Sequence, residues 1–263
     1  MLDAARTDEA AALLWRHWRD GTRLAALPER VRPATREEGY AIQARLATRS
    51  ARQIFGWKIA ATSVAGQKHI GVDGPLAGRL LAERVRADGA TLESGANHMK
   101  VIEPEFAFRM ARALPPRTTA YAVNEVIDAV GALHPAIEIP DSRYDDFARV
   151  GAPQLIADVA CAHEFVLGPA TTANWRTIDL AAHRVNAVAG ALTRAGVGSN
   201  VLGDPRIALT WLVNELSGLG IALGAGEVVT TGTCAPPLPV APGDAAAADF
   251  GVLGRVSLRF AAV

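Results

Sequence analysis

Apolar residues recur at helical spacing in two places near the start of the chain. Over 7–20, Leu13, Leu14 and Trp18 form one stripe, with Thr7 as a candidate N-cap, and this predicts an amphipathic helix. The segment TREEGYAIQARLATRSA predicts a second helix from Thr35, because it has acids in its first turn and the capping-box spacing Thr35-x-x-Glu38. The pattern then changes. IFGWKIAA at 54–61 reads as a short buried strand, and KHIGVDGPLAGRLL is broken by glycine and proline on the way to further strands. Beyond it, short apolar runs alternate with turns: VIEPEFAF, AIEIP, LIADVACAHEFVLG, EVVTTGT and RVSLRF. Helices are predicted at 121–132 and 204–217, the second opening with Asp204 as N-cap and Pro205 at its first position. Strands outnumber helices here and do not alternate with them regularly. An α+β fold with a curved mixed sheet follows, rather than a doubly wound one. We expect a helical region over 1–52 and a mixed-sheet domain over 53–263, joined in one compact unit.

The charges inside those strands raise the first chemical question. Along VIEPEFAF, Ile102, Pro104, Phe106 and Phe108 share one face, while Glu103 and Glu105 share the other. Two like charges side by side are consistent with a solvated outer face, or with a bound cation. Lys58 in FGWKIAA and Glu138 in AIEIP are also embedded in apolar runs. A buried charge is costly unless it is paired or ligates a metal. Three carboxylates against one ammonium leave excess negative charge, which a divalent cation would neutralise. Carboxylate oxygens alone favour a hard ion such as Mg²⁺ or Mn²⁺ over zinc. Three protein ligands on an octahedral ion would leave open positions for substrate. The alternative at this stage is that the same groups reach water at strand edges.

Composition narrows the classes. The chain has 263 residues, half of them hydrophobic, which is enough for a sizeable core. Lys+Arg and Asp+Glu are each 27, so no basic excess exists to meet phosphates, and nucleic acid is not an expected partner. Cys161 and Cys234 form no metal-binding spacing, and such sparse cysteine suits a reducing compartment. The first residues lack signal-peptide order, and no apolar run approaches a membrane span. A soluble, cytoplasmic protein with no membrane partner is expected.

Four ordered motifs then carry a resemblance. They are Gly56-Trp57-Lys58, Gly71-Val72-Asp73-Gly74-Pro75, Glu103-Pro104-Glu105, and Glu138-Ile139-Pro140-Asp141-Ser142-Arg143. With the closing segment from GEVVTTGT to RVSLRF, they resemble the 2-oxopent-4-enoate hydratase/4-oxalocrotonate decarboxylase branch of the fumarylacetoacetate hydrolase superfamily. The resemblance implies that superfamily's mixed-sheet roll and a homo-oligomer. It implies that Glu103, Glu105 and Glu138 hold Mg²⁺ or Mn²⁺, with Lys58 facing a small 2-oxo acid substrate. It also implies lyase chemistry on a 2-oxo or 2-hydroxydienoic acid in aromatic or related catabolism: water addition first, decarboxylation as the alternative. Acylpyruvate-type C–C hydrolysis is a further alternative, against which Glu138 speaks, since those relatives usually carry an Asp as third ligand. A non-catalytic 2-oxo acid binder is the last.

The chain departs from the family pattern in places. Leu76 follows Pro75 where hydratases usually carry an acid. Cys161 stands where the family has a serine facing substrate, and Thr233 stands for a late serine while keeping its hydroxyl. These three are candidate substrate contacts, although Cys161 reads more readily as a small buried hydrophobe than as a nucleophile served by His163, two residues on. Asp141 and Arg143 are candidates for a pair behind Glu138, or for supports that orient it, and Asp73 for a supporting acid. His69 sits in the glycine-broken stretch, as a plain loop residue or part of a lid. Gly218-Leu219-Gly220 reads as the end of the preceding helix.

Overall fold

The computed structural model describes residues 1–262. Helix α1 (Ala4–Asp20) begins at Ala4 because Asp3, not Thr7, caps it: the Asp3 carboxylate accepts from the Arg6 N–H at 2.8 Å. Thr7 is buried inside the helix, its hydroxyl donating to the Asp3 carbonyl. Helix α2 (Arg36–Ala47) does follow Thr35, whose Oγ1 accepts from the Glu38 N–H. Glu38 does not close the box onto Thr35. Its carboxylate accepts from Ala34 N–H at 2.7 Å and Leu2 N–H at 2.6 Å, which pins the start of the chain to α2.

Four further α-helices follow: α3 (Val64–His69), α4 (Val123–Asp128), α5 (Ala152–Ala157) and α6 (Pro205–Gly218). Helix α6 starts as its sequence predicts, with Asp204 accepting from Arg206 N–H, and Gly220 at φ 72° turns the chain away after its end. Helix α4 is shorter than predicted, because residues from Val130 belong to a strand. No helix among the described residues is long and apolar enough to cross a membrane.

The strands are β1 (Ile54–Ala60), β2 (Leu76–Leu81), β3 (Val85–Ala87), β4 (Ala90–Leu92), β5 (Val101–Met110), β6 (Val130–Ile139), β7 (Glu164–Leu167), β8 (Arg184–Ala189), β9 (Leu192–Val197), β10 (Val228–Thr233), β11 (Leu238–Pro239), β12 (Ala245–Asp249) and β13 (Arg255–Phe260). They form one sheet in the order β2-β1-β10-β5-β6-β7-β3, with β11 also on β5, and a second in the order β4-β13-β12-β8-β9. The β1–β10, β3–β7 and β4–β13 pairs are parallel and the others antiparallel, so the sheets are mixed, as the irregular alternation of elements predicts.

The larger sheet buries both faces. Phe106 packs edge-on against Phe250 at 5.0 Å and Phe108 against Trp175 at 5.7 Å, on the face the alternation assigns to the core. Each such side chain contributes on the order of 2 kcal/mol on burial. The opposite face carries Leu80, Ala107, Ala136 and Val228, covered by Leu14, Trp18, Ile42 and Leu46 of α1 and α2. The glutamates sit on that second face.

One predicted strand is absent. LIADVACAHEFVLG is helix α5 and then a turn, and only Glu164–Leu167 is strand. Val159, Ala160 and Cys161 all have left-handed backbones, with φ of 47°, 51° and 64°. The side-chain pattern of an apolar run cannot report such a turn, because Val and Ala normally avoid it.

Candidate active site

Register brings the acids together. Strands β5 and β6 pair Glu103 directly with Glu138, and Glu105, two residues along, shares their face. The three carboxylates each offer an oxygen within 4.8 Å of the others. Glu105 and Glu138 are fully buried and Glu103 half-buried, which removes the solvated-edge reading. Lys58 reaches the same face from β1, through the register Lys58–Thr230 and Thr230–Ala107 across β10. Its Nζ donates to the Ala160 carbonyl at 3.0 Å and lies 3.1 Å from Glu138 Oε2. The second contact is an ion pair rather than an aligned hydrogen bond, since neither Glu138 oxygen has a hydrogen-bond partner.

A bulge in β10 shapes the Glu105 end. Thr230 opposes Ala107 but Thr233 opposes Glu105, so β10 carries one extra residue. Gly232 takes it up at φ 95°, where a Cβ would stand 2.2 Å from Thr62 Oγ1. Its N–H thereby donates to Glu105 Oε2 at 2.7 Å, beside the Thr230 hydroxyl, which donates to the same oxygen. Glu105 Oε1 has no partner.

Burial sets the electrostatics. It pushes the Glu103 carboxyl up to about 7, with Glu138 adding repulsion and Lys58 offsetting part of it. It raises Glu105 well above the carboxylate range, reinforced by Glu138 and Glu103, and it raises Glu138 against the pull of Lys58. For Lys58, burial disfavours the ammonium, but Glu138, Glu103 and Glu105 together outweigh it and hold the charge on. Three ionised carboxylates and one ammonium would leave two net negative charges in a dry site. Oxygen-only donors, orphaned carboxylate oxygens and that excess charge all fit a hard divalent cation.

The other predicted residues fall into two groups. Leu76 pairs with Ala60 and is buried on the Lys58 face. Thr233 lies opposite Glu105, with its hydroxyl donating to the Ala235 carbonyl at 2.6 Å. Cys161 is buried beside the site, and burial followed by the nearby Asp158 charge pushes its thiol up to about 12. His163 shares no strand face with it, since Cys161 lies in the left-handed turn and the strand begins only at Glu164. The His163 ring lies 6.0 Å from that of Trp18, and burial, then Arg143 and neighbouring arginines, push it down to about 3.

The supporting residues are placed differently from expectation. Asp141 and Arg143 do not pair with each other. Asp141 pairs with Arg23 at 2.7 Å and accepts from His98 and Met99 N–H. Arg143 pairs with buried Asp158, and neither contacts Glu138. The Asp73 side chain is 94% exposed, with Arg36 at 3.9 Å. His69 is exposed at the end of α3, with its ring 6.0 Å from that of Phe147. Sequence reasoning missed Thr230 and Gly232, which hold Glu105, and Asp158, the partner of Arg143. None had a local signature: Thr230 and Gly232 enter through the register and bulge of β10, and Asp158 through its pairing with Arg143.

No family model matches the chain. Among curated relatives, 2-keto-4-pentenoate hydratase 1 of Dechloromonas aromatica (strain RCB) is 34% identical over 260 residues, 97% of each chain. The TodF product hydratase of Pseudomonas putida F1 is 32% identical over 269 residues, 99% of this chain and 98% of that one. Among solved structures, 4-oxalocrotonate decarboxylase from Pseudomonas putida G7, complexed with magnesium and adipate, superposes with a TM-score of 0.90 at 26% identity, over 99% of both chains. A putative fumarylpyruvate hydrolase from Burkholderia cenocepacia shares the fold at 14% identity, with a TM-score of 0.60 over 81% of this chain. The four motifs, their convergence on one buried face and near full-length similarity lead to one conclusion: this chain belongs to the 2-keto-4-pentenoate hydratase family of lyases, built on the fumarylacetoacetate hydrolase fold.

Proposed function

We propose that this protein adds water to a 2-hydroxydienoic acid of the 2-hydroxypenta-2,4-dienoate type, using Mg²⁺ or Mn²⁺ held by Glu103, Glu105 and Glu138. The observation that carries the reading is the buried three-carboxylate face with one lysine and unpartnered carboxylate oxygens. When bound, the ion supplies Lewis-acid stabilisation of negative charge on the carboxylate and 2-oxo end of the substrate. Ketonisation moves the remaining double bond into conjugation with the 2-oxo group. Water then adds at C4 and a proton at C3, giving a 4-hydroxy-2-oxo acid.

The chain's own residues orient and polarise. Lys58 carries three N–H donors; one is taken by Ala160 O and a second faces Glu138, leaving one for the substrate's developing oxyanion. Thr230 and Gly232 fix the Glu105 carboxylate so that its second oxygen is free for a ligand. Leu76 offers no proton relay and keeps the Lys58 side apolar.

That absence supports a second reading, decarboxylation of a 2-oxo-3-enedioate, which needs the electron sink and a proton donor but no water-activating acid. The decarboxylase among the solved relatives fits it too. We take hydration as primary on the similarity to several hydratases, and we take the protein to work as a cytoplasmic homo-oligomer on the family resemblance alone. Turnover of a panel of 2-hydroxydienoates and 2-oxo-enedioates, with and without Mn²⁺, tests this. Metal-dependent loss of the dienol supports the reading, and turnover unaffected by EDTA overturns it.

A further inference from the structure

Three consecutive left-handed residues without glycine are costly, roughly 1–3 kcal/mol each, and persist only where surrounding structure enforces them. Val159, Ala160 and Cys161 form such a run, and Val159 is β-branched, the type least suited to it. The enforcing contacts are all buried. Asp158, immediately before the run, accepts from the Ser142 hydroxyl at 2.8 Å and from Arg143 N–H at 2.9 Å, and it pairs with the Arg143 guanidinium. The same guanidinium donates to the Asp158 carbonyl at 2.7 Å and to the Ala162 carbonyl at 3.1 Å, so it grips the chain on both sides of the turn. Asp141 N–H donates to the Cys161 carbonyl.

The turn is pressed onto β2 at one residue. Gly78 lies opposite Lys58 in the β1–β2 register, and a Cβ on Gly78 would stand 1.9 Å from the Val159 carbonyl oxygen. Only a glycine admits the turn there. The consequence is that the Ala160 carbonyl arrives 3.0 Å from Lys58 Nζ.

We propose that the Arg143–Asp158 pair, Ser142 and Gly78 are positioning residues for Lys58: they hold the left-handed turn whose Ala160 carbonyl aims the ammonium at the substrate. The inference rests on Lys58 acting on substrate, as in the function proposed above. Arg143 thus acts on the site through the backbone of 158–162, a route that differs from an ion pair behind Glu138.

The test uses the intact protein with diamagnetic Mg²⁺ and two readouts. The chain has three lysines, Lys58, Lys68 and Lys100, so the ¹⁵N ammonium spectrum is simple, and the resonance lost in Lys58→Met identifies Lys58. Gly78→Ala should shift or broaden that resonance and lower kcat about 100-fold, with KM within about twofold, because misplacement of this order costs that much. Should Gly78→Ala fail to fold, Ser142→Ala removes one hydrogen bond to Asp158 without a steric change; it should shift the same resonance and lower kcat about fivefold. In a Lys58→Met background either change should have little further effect, since both act through one group. An unmoved Lys58 resonance with normal kcat, or effects that add fully to Lys58→Met, overturns the positioning role. If Lys58→Met itself leaves turnover intact, the functional reading of Lys58 fails instead, and the ammonium spectrum still reports whether the turn sets its position.

Discussion

Without a divalent ion, the carboxylate face should make the protein less stable as pH rises. Glu103 has an ordinary carboxyl pKa of 4.5 when unfolded and about 7 in the folded chain, because burial disfavours its charge. A group raised on folding contributes stability in full below its unfolded pKa and loses it as pH climbs through the folded value. At about 1.4 kcal/mol per pKa unit, Glu103 alone removes roughly 2–3 kcal/mol between pH 5 and pH 8. Glu105 and Glu138 are raised as well and act in the same direction. For a chain of this size 1 kcal/mol corresponds to about 2–4 °C, so the metal-free Tm should fall by roughly 5–10 °C over that window. Thermal melts in EDTA from pH 5 to 8 measure it, and Mn²⁺ should raise Tm most at pH 8, where the carboxylates are ionised. Glu105→Gln should flatten the slope. A metal-free Tm that is level or rising from pH 5 to 8, with Mn²⁺ giving the same increment throughout, would refute the buried-acid account.

The remaining substitutions probe individual groups. Glu105→Ala should abolish the single Mn²⁺ site per chain seen by calorimetric titration in the wild type; unchanged binding would remove Glu105 from the ligand set. Lys58→Met should keep or strengthen Mn²⁺ binding, since it removes the competing cation, while lowering turnover about 100-fold or more. Leu76→Asp should raise hydration relative to decarboxylation but lower Tm by several degrees, because it adds a fourth acid to a buried face. A Leu76→Asp protein with the wild-type product ratio would show that residue 76 does not select the reaction.

That Glu103, Glu105, Glu138 and Lys58 converge was implied by the family resemblance, whereas the starts of α2 and α6, the core face of VIEPEFAF and the apolar setting of those charges were legible in the residue pattern. They depend on periodicity and on the cost of burying charge, both of which leave a trace in residue type. The cap of α1 was misplaced because Asp3 and Thr7 are both plausible caps, and only the chain path selects one. The Val159–Cys161 turn was read as a strand because its conformation opposes the local preference and is imposed by Arg143 and Asp158 from outside. Asp141 and Arg143 were expected to pair with each other or to orient Glu138, but their partners, Arg23 and Asp158, come from other segments that no spacing reveals. Asp73 carried a motif position, yet its loop directs it to solvent.

The most direct test of the central claim is a parallel assay of one preparation on 2-hydroxypenta-2,4-dienoate and on a 2-oxo-3-enedioate, with Mn²⁺ present or chelated. Dienol absorbance and CO₂ release are followed separately, in the wild type and in Glu105→Gln. The account predicts Mn²⁺-dependent loss of the dienol with formation of the 4-hydroxy-2-oxo acid, absent in EDTA and in Glu105→Gln. Rapid CO₂ release with no hydration would transfer the assignment to decarboxylation, and turnover indifferent to both EDTA and Glu105→Gln would contradict a metal-dependent site at these three glutamates.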